Sequence, residues 1–320
     1  MKLPQNTYSD KITTMAEKYA PVAVFAYNRV DKVKNCIEHL EKSRESAFSD
    51  LYIFCDGARG DIDKADVEKV HAFASDYAQS GTIKSVRPVL QDKNRGLAAS
   101  IMTGVTEVIN EYGRVIVVED DLVVMPSFLK YMNEGLEYYQ DDRKCGSICS
   151  FSYPMKQLEN YDKDVYFTWK ADCWGWATWA DRWNNAEWAD TDFVSYLNDM
   201  RLRRQFEGLE AGLDRLMYLQ YKRKIDSWAV RWIYYLFRKG QLSVYPTKSQ
   251  VINDGFDGTG THISNGFGEG FNSEYENVIT EFSWEKCEYN EELAKACARF
   301  PRRFLPLYVL ETLRFMMRKR

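Results

Sequence analysis

Histidine is scarce in this chain, with three in 320 residues. No run approaches the roughly 18–20 apolar residues that a bilayer-spanning helix needs. The opening stretch MKLPQNTYSDKITTMAEKYA also lacks the apolar segment of a secretory signal. Cysteine appears seven times, an odd number, and never as CxxC. That usage argues for reduced thiols in the cytoplasm rather than a disulfide framework. Cys145 and Cys149 have CxxxC spacing, but no neighbouring His or further Cys completes a zinc set. Excess charge is missing too. With 43 basic and 47 acidic side chains the net charge is −4, which offers no global field to nucleic acid. There is no internal repeat and no low-complexity segment. An extracellular disulfide scaffold, a zinc module, a membrane span and a nucleic-acid binder are excluded.

Hydrophobic residues make up 45% and charged residues 28%, the balance of an ordinary globular chain. The length of 320 residues suffices for one large α/β domain, or for a core domain with an appendage. Aromatics reach 15%, with 21 Tyr and 9 Trp. Such a surplus serves either core packing or flat, hydroxyl-rich ligands.

The first half alternates strand and helix patterns. Residues 21–27 (PVAVFAY) form a buried-strand pattern, followed by a helix pattern with Val30, Val33, Ile37 and Leu40 on one face. Residues 51–55 (LYIFC) are a second strand, which ends at Asp56-Gly57. Val70, Phe73 and Tyr77 follow on a helix, and a third strand lies near 83–90. Leu97, Ile101, Val105, Val108 and Ile109 mark the next helix, and residues 114–118 (RVIVV) a fully apolar strand. Four strand–helix units predict an α/β fold with a mostly parallel, doubly wound central sheet and helices on both faces. Ligands of such sheets sit at the carboxyl ends of the strands. Tyr27-Asn28-Arg29, Asp56-Gly57 and Glu119-Asp120-Asp121 all fall on that edge. Beyond it the pattern changes: residues 166–188 are crowded with Trp and Gly, 190–232 read helical, and 253–271 are a Gly-rich loop.

Glu119-Asp120-Asp121 is the sharpest feature. Three consecutive carboxylates after an apolar strand repel one another unless a cation or donors neutralise them. They either cap the following helix or bind a metal or nucleotide, and Pro126 and Ser127 already supply a helix start. Carboxylate oxygens suit hard divalent cations such as Mn2+ or Mg2+. A cation held by one or two carboxylates takes its remaining ligands from a substrate diphosphate.

A strand ending in VVEDD, followed by Pro126-Ser127-Phe128 and a helix, resembles the metal-binding motif of GT-A glycosyltransferases. The likeness is to the N-acetylglucosaminyltransferase I type and its bacterial relatives. VAVFAYNR, FCDG, CWGWATWADRW and SWAVRW with a late His-containing Gly loop agree in order, over about residues 21–270. The resemblance implies a GT-A-like nucleotide-binding fold with Asp121 as the metal ligand. Glu119 and Asp120 would face the ribose and sugar, with Tyr27, Arg29 and Asp56 near the uridine and phosphates. A carboxylate at Asp56 can accept from the uracil N3–H; the alternative is a turn residue before Gly57. Arg95 in KNRGLAAS opens a helix, where it favours an anion, or else is a plain surface charge.

Asp226 in KIDSWAVRW is the candidate general base. Inverting transfer needs one carboxylate to take the acceptor hydroxyl's proton. The family's base lies in a WDDW segment, and the matching stretch here reads Ile225-Asp226-Ser227-Trp228. The alternative for Asp226 is a helix N-cap. Trp174, Trp176 and Trp179 are candidates for an acceptor platform, with Trp228 a further acceptor-binding candidate, since sugar C–H faces stack on aromatic rings; the alternative is core packing. His39 and His71 read as surface residues. His262 lies in the Gly-rich loop and either closes over the diphosphate, binds the metal or has no role.

The expected organisation is an N-terminal extension (1–20), a nucleotide-sugar-binding half (21–150), an acceptor and catalytic half with flexible loop 253–271 (151–285), and a helical, basic tail (286–320). The tail RRFLPLYVLETLRFMMRKR suits either an anionic membrane surface or a docking helix. The expected activity is metal-dependent, inverting transfer from a UDP-sugar to a glycan or lipid-linked saccharide, in the cytoplasm or peripheral at the inner membrane face. One rival is a sugar-phosphate nucleotidyltransferase, whose usual Gly-rich N-terminal loop AYNRVDK lacks. The other is a non-catalytic carbohydrate-binding protein of the same fold.

Overall fold

The computed structural model describes residues 19–186, 188, 193–256 and 281–300. The first strand, β1 (Val22–Ala26), is buried along its whole length, as a continuous apolar run in a parallel sheet should be. It leads into α1 (Val30–Glu41), β2 (Asp50–Cys55) and α2 (Asp61–Ser80). Next come β3 (Ser85–Leu90), α3 (Leu97–Tyr112) and β4 (Arg114–Glu119). All four strands pair in parallel, in the order β3-β2-β1-β4. As an edge strand, β3 tolerates Pro88. This is the doubly wound half that the strand–helix alternation predicts.

After β5 (Leu122–Val124) and α4 (Phe128–Tyr138) come β6 (Cys145–Cys149), β7 (Val165–Thr168) and β8 (Trp176–Trp179). The short α5 (Ala180–Trp183) is followed by α6 (Phe193–Asn198), α7 (Met200–Glu207), α8 (Leu213–Tyr221) and α9 (Trp228–Lys239). Then come β9 (Leu242–Pro246), β10 (Val251–Asn253) and α10 (Glu291–Arg299). The main sheet continues from β4 as β8-β6-β9-β7. Only β8 and β7 run against the rest. Placing β8 antiparallel beside β4 puts its first residue, Trp176, opposite Val117, close to the carboxyl end of β4.

Side-chain alternation sorts the core into two layers. Val22, Val24, Leu51, Ile53, Ile116 and Val118 pack on one face with Val33, Ile37, Val70 and Met132 from α1, α2 and α4. Ala23, Phe25, Tyr52, Phe54 and Val117 pack on the other with Ile101 and Val105 of α3 and Trp232 of α9. Helices therefore cover both faces, as expected. The first layer runs on through Ile148, Val165 and Val244, so one sheet and one core cross residue 150. Neither the tail 301–320 nor most of loop 253–271, His262 included, lies within the described residues.

Candidate active site

The carboxyl ends of β1, β2 and β4 meet as the parallel order requires. The acidic run is tied to β1 by the Asp120 amide, which donates to the Phe25 carbonyl at 3.0 Å. On its other side β5 pairs antiparallel with β10, and the Asp254 amide donates to the Asp121 carbonyl at 2.8 Å. Gly255 lies hard against this corner, where a Cβ would collide with Asp121 Oδ2.

Arg29, just after β1, supplies the neutralising cation. Its Nη2 contacts Asp120 Oδ1 and pairs with Asp121 Oδ2 at 2.9 Å. Burial opposes the Arg29 charge, yet the two carboxylates hold it above the ordinary guanidinium range. Burial, reinforced by neighbouring acids, pushes the Glu119 and Asp120 carboxyls up. The compensation is incomplete, since Asp120 Oδ2 and Arg29 Nη1 are both buried without a partner. Such orphans mark an unfinished polar cluster. Of the paired acids, Asp121 is the more accessible, with a side chain 17% exposed against 5% for Asp120.

Among the described residues, no group of three His, Cys, Asp or Glu is gathered so as to cage a metal ion. The donor set is nevertheless carboxylate oxygen, with one accessible group at Asp121 and an unpartnered oxygen on Asp120. That set fits a hard divalent cation arriving with ligands of its own, rather than one held entirely by the chain.

Asp56 has a different role from the one expected. Its Oδ1 accepts from the amides of Gly57 at 2.9 Å and Arg95 at 2.8 Å. Its Oδ2 accepts from Asn94 Nδ2 at 3.0 Å and the Gly96 amide at 2.9 Å. Four donors fill the lone pairs of one carboxylate. Asp56 therefore staples the loop before α3 and is not available to a uracil N3–H. His71 is likewise more than a surface residue, since Nε2 lies 3.1 Å from the Asp56 carbonyl oxygen. Arg95 keeps an exposed side chain at the head of α3. The Tyr27 hydroxyl donates to Asp63, and Arg59 covers its ring at 5.0 Å. Burial, with Asp63 adding, raises the Tyr27 phenol to about 12.

The tryptophans divide. Trp176 is fully buried and Trp228 is 3% exposed. Their rings stack at 5.0 Å, and Trp183 stacks on Trp176 at 5.4 Å. With no free face, Trp176 and Trp228 are core residues and not an acceptor platform. Trp179 is buried as well, and Trp174 alone of the four is half-buried, edge-on to Phe151 at 4.7 Å and Phe256 at 5.5 Å. Gly175, at φ 68°, makes the turn between Trp174 and β8, where a Cβ would collide with Ser150 Oγ.

Asp226 is exposed and pairs with Arg231 Nη2 at 2.6 Å. The N-cap of α9 is Ser227, whose side chain accepts from the Val230 amide at 3.3 Å, so Asp226 is not the cap. Asp226 lies two residues before Trp228, whose stack on Trp176 brings the start of α9 to the β4 edge.

One group escapes sequence reasoning. Lys170 is buried, with Nζ 2.6 Å from Glu210 and 3.3 Å from Asp172, and it also contacts the Tyr153 hydroxyl. Burial opposes its charge, but Glu210, Tyr153 and Asp172 hold it well above the ordinary ammonium range. Asp172 also accepts from the Trp174 amide at 3.0 Å, and its charge helps raise Glu119. The adjoining WKADCWGW stretch sets Lys170 and Asp172 among aromatics, the one local signal that could have drawn attention to them.

Residues 22–176, from β1 to the first residue of β8, match the model of glycosyl transferase family 2. That match supports a glycosyltransferase. Among solved structures, a UDP-glucose pyrophosphorylase complexed with UDP-glucose is 11% identical, with a TM-score of 0.38, over 73% of this chain and 93% of that one. The galactosyltransferase LgtC, in complex with donor and acceptor sugar analogues, is 13% identical, with a TM-score of 0.33, over 73% and 74% of the two chains. Neither likeness is close enough to carry a residue role. No curated protein matches.

Proposed function

We propose that this chain transfers a sugar, with inversion, from a UDP-sugar to a hydroxyl of a glycan or lipid-linked saccharide, as in enzymes of the N-acetylglucosaminyltransferase I type. The observation that carries the proposal is the Arg29–Asp120–Asp121 cluster at the β4 edge of a glycosyltransferase family 2 segment. Asp121 is the residue suited to hold Mn2+ or Mg2+, with Asp120 beneath it. When bound, such a cation neutralises charge on the departing diphosphate. Arg29, set between both carboxylates, would pair with the phosphates of the donor; Arg95 and Tyr27 line the same edge. Glu119, the last residue of β4, is the further acid proposed to face the donor.

Asp226 takes the acceptor proton, with Asp172 the other acid beside the cluster. Trp174, half-buried two residues before Trp176, is the tryptophan proposed to stack on the acceptor. No helix among the described residues is long and apolar enough to cross a membrane. Contact with an anionic membrane at the inner face, through the basic tail 302–320, belongs to the proposal. The test incubates the full chain with a panel of UDP-sugars, with and without Mn2+, and measures UDP release and labelled product. Metal-stimulated transfer is the expected result; no turnover of any UDP-sugar in either condition overturns the reading.

A further inference from the structure

The helical segment between β8 and α9 plays no part in the chemistry above, yet its charges are unbalanced. Residues 193–224 hold four acids, and the fold uses all of them. Asp199 accepts from the amides of Arg201 and Leu202 at the head of α7, both at 2.9 Å. Glu207 accepts from the amides of Gly212 at 2.8 Å and Asp214 at 3.0 Å. Glu210 pairs with Lys170, and Asp214 with Arg203. Among the described residues, Arg201, Arg204, Arg215, Lys222, Arg223 and Lys224 are left with no acidic partner.

A second observation singles out the end of this run. Arg223, at φ 52°, is the one non-glycine among the described residues with positive φ. It follows α8, where a left-handed residue commonly ends a helix and glycine is the usual occupant. The turn is closed by the Arg223 amide on the Gln220 carbonyl and the Lys224 amide on the Leu219 carbonyl, each at 2.9 Å. An arginine held in this conformation is strained, and strain of this kind collects at functional positions. Its effect is to leave Lys222, Arg223 and Lys224 exposed in succession.

Beside them are amphipathic and apolar groups. Tyr218 and Tyr221 are 45% and 37% exposed, and Lys222 Nζ sits 5.7 Å and 5.2 Å from their ring centres. Phe193 meets Tyr221 at 6.3 Å, which brings exposed Val194 of α6 to the same end. Cations flanked by tyrosines and an exposed valine suit the headgroup boundary of a bilayer. A net charge of −4 over the whole chain works against wrapping by an extended soluble polyanion.

We propose that the face centred on the Lys222-Arg223-Lys224 turn docks on the anionic headgroups of a bilayer. Asp226 follows two residues later, so docking would bring the acceptor side to the membrane; that consequence, unlike the docking, rests on the function proposed above. The test is co-sedimentation of the full chain with vesicles of phosphatidylcholine alone, or mixed with phosphatidylglycerol. Each basic side chain near such a surface is worth about fivefold in binding, so K222Q/R223G/K224Q together should weaken binding to the mixed vesicles about 10²-fold. R223G alone should weaken it about fivefold while leaving the unfolding midpoint at or above that of the wild type, because glycine relieves the turn. The tail is present in every variant and is a constant background. A triple variant that sediments like the wild type overturns the proposal. So does a wild type that ignores the mixed vesicles or binds both kinds alike. UDP-sugar turnover without vesicles, which the triple variant should retain, separates failure of docking from failure of the catalytic reading.

Discussion

The two halves of this molecule neutralise buried charge in different ways. At the ends of β1 and β4, Arg29 bridges Asp120 and Asp121 but leaves Asp120 Oδ2 and Arg29 Nη1 unsatisfied. Around Lys170, by contrast, Glu210, Asp172 and Tyr153 surround one ammonium group, and Trp174 pins Asp172 from its backbone. The first cluster is left open, with a donor and an acceptor still to be satisfied. The second is closed, and holds the segment before β8 in place. The aromatic surplus divides similarly, with Trp176, Trp183, Trp228 and Trp232 packed into the core and Trp174 at its margin.

The largest effect is expected at the proposed proton acceptor. Asp226→Asn should lower transfer by about 10²–10⁴-fold, the usual contribution of a positioned general base, with donor affinity and fold retained. If that variant transfers normally and Asp172→Asn does not, the base belongs to the closed cluster and the distinction between the halves weakens.

A change in the aromatic stack should act on stability instead. Trp176→Ala should cost about 3–5 kcal/mol in denaturant unfolding. Trp174→Ala should raise KM for the acceptor with a much smaller loss of stability. Similar stability losses at both positions would make Trp174 a core residue too.

The smallest effect is expected at the start of α9. Ser227→Ala removes the cap and should cost about 1 kcal/mol. An unchanged unfolding free energy would show that the cap contributes nothing.

What the sequence revealed follows the same division. The alternation of apolar runs and helical periods in residues 21–118 foretold β1 to β4, their parallel pairing and the polar edge, because each signal is local. The antiparallel insertion of β8 beside β4 rests on long-range pairing, and no local pattern announces it. Asp56 shows the same limit within the site. A polar residue at a strand end was visible, but its four donors come from Gly57 and from residues 94–96, which only the folded chain brings around it. Trp176 and Trp228 looked like ligand-stacking residues because composition cannot tell a packed ring from an open one. Lys170 was hidden for a related reason, since Glu210 lies 40 positions away in the chain.

On the function proposed here, the Arg29–Asp120–Asp121 cluster receives a divalent cation together with a nucleotide diphosphate. Calorimetric titration of UDP into the wild type and Asp121→Ala, each with and without Mn2+, tests it most directly. Mn2+ should strengthen UDP binding to the wild type and leave a folded Asp121→Ala protein unaffected. An equal Mn2+ effect in both proteins would contradict it.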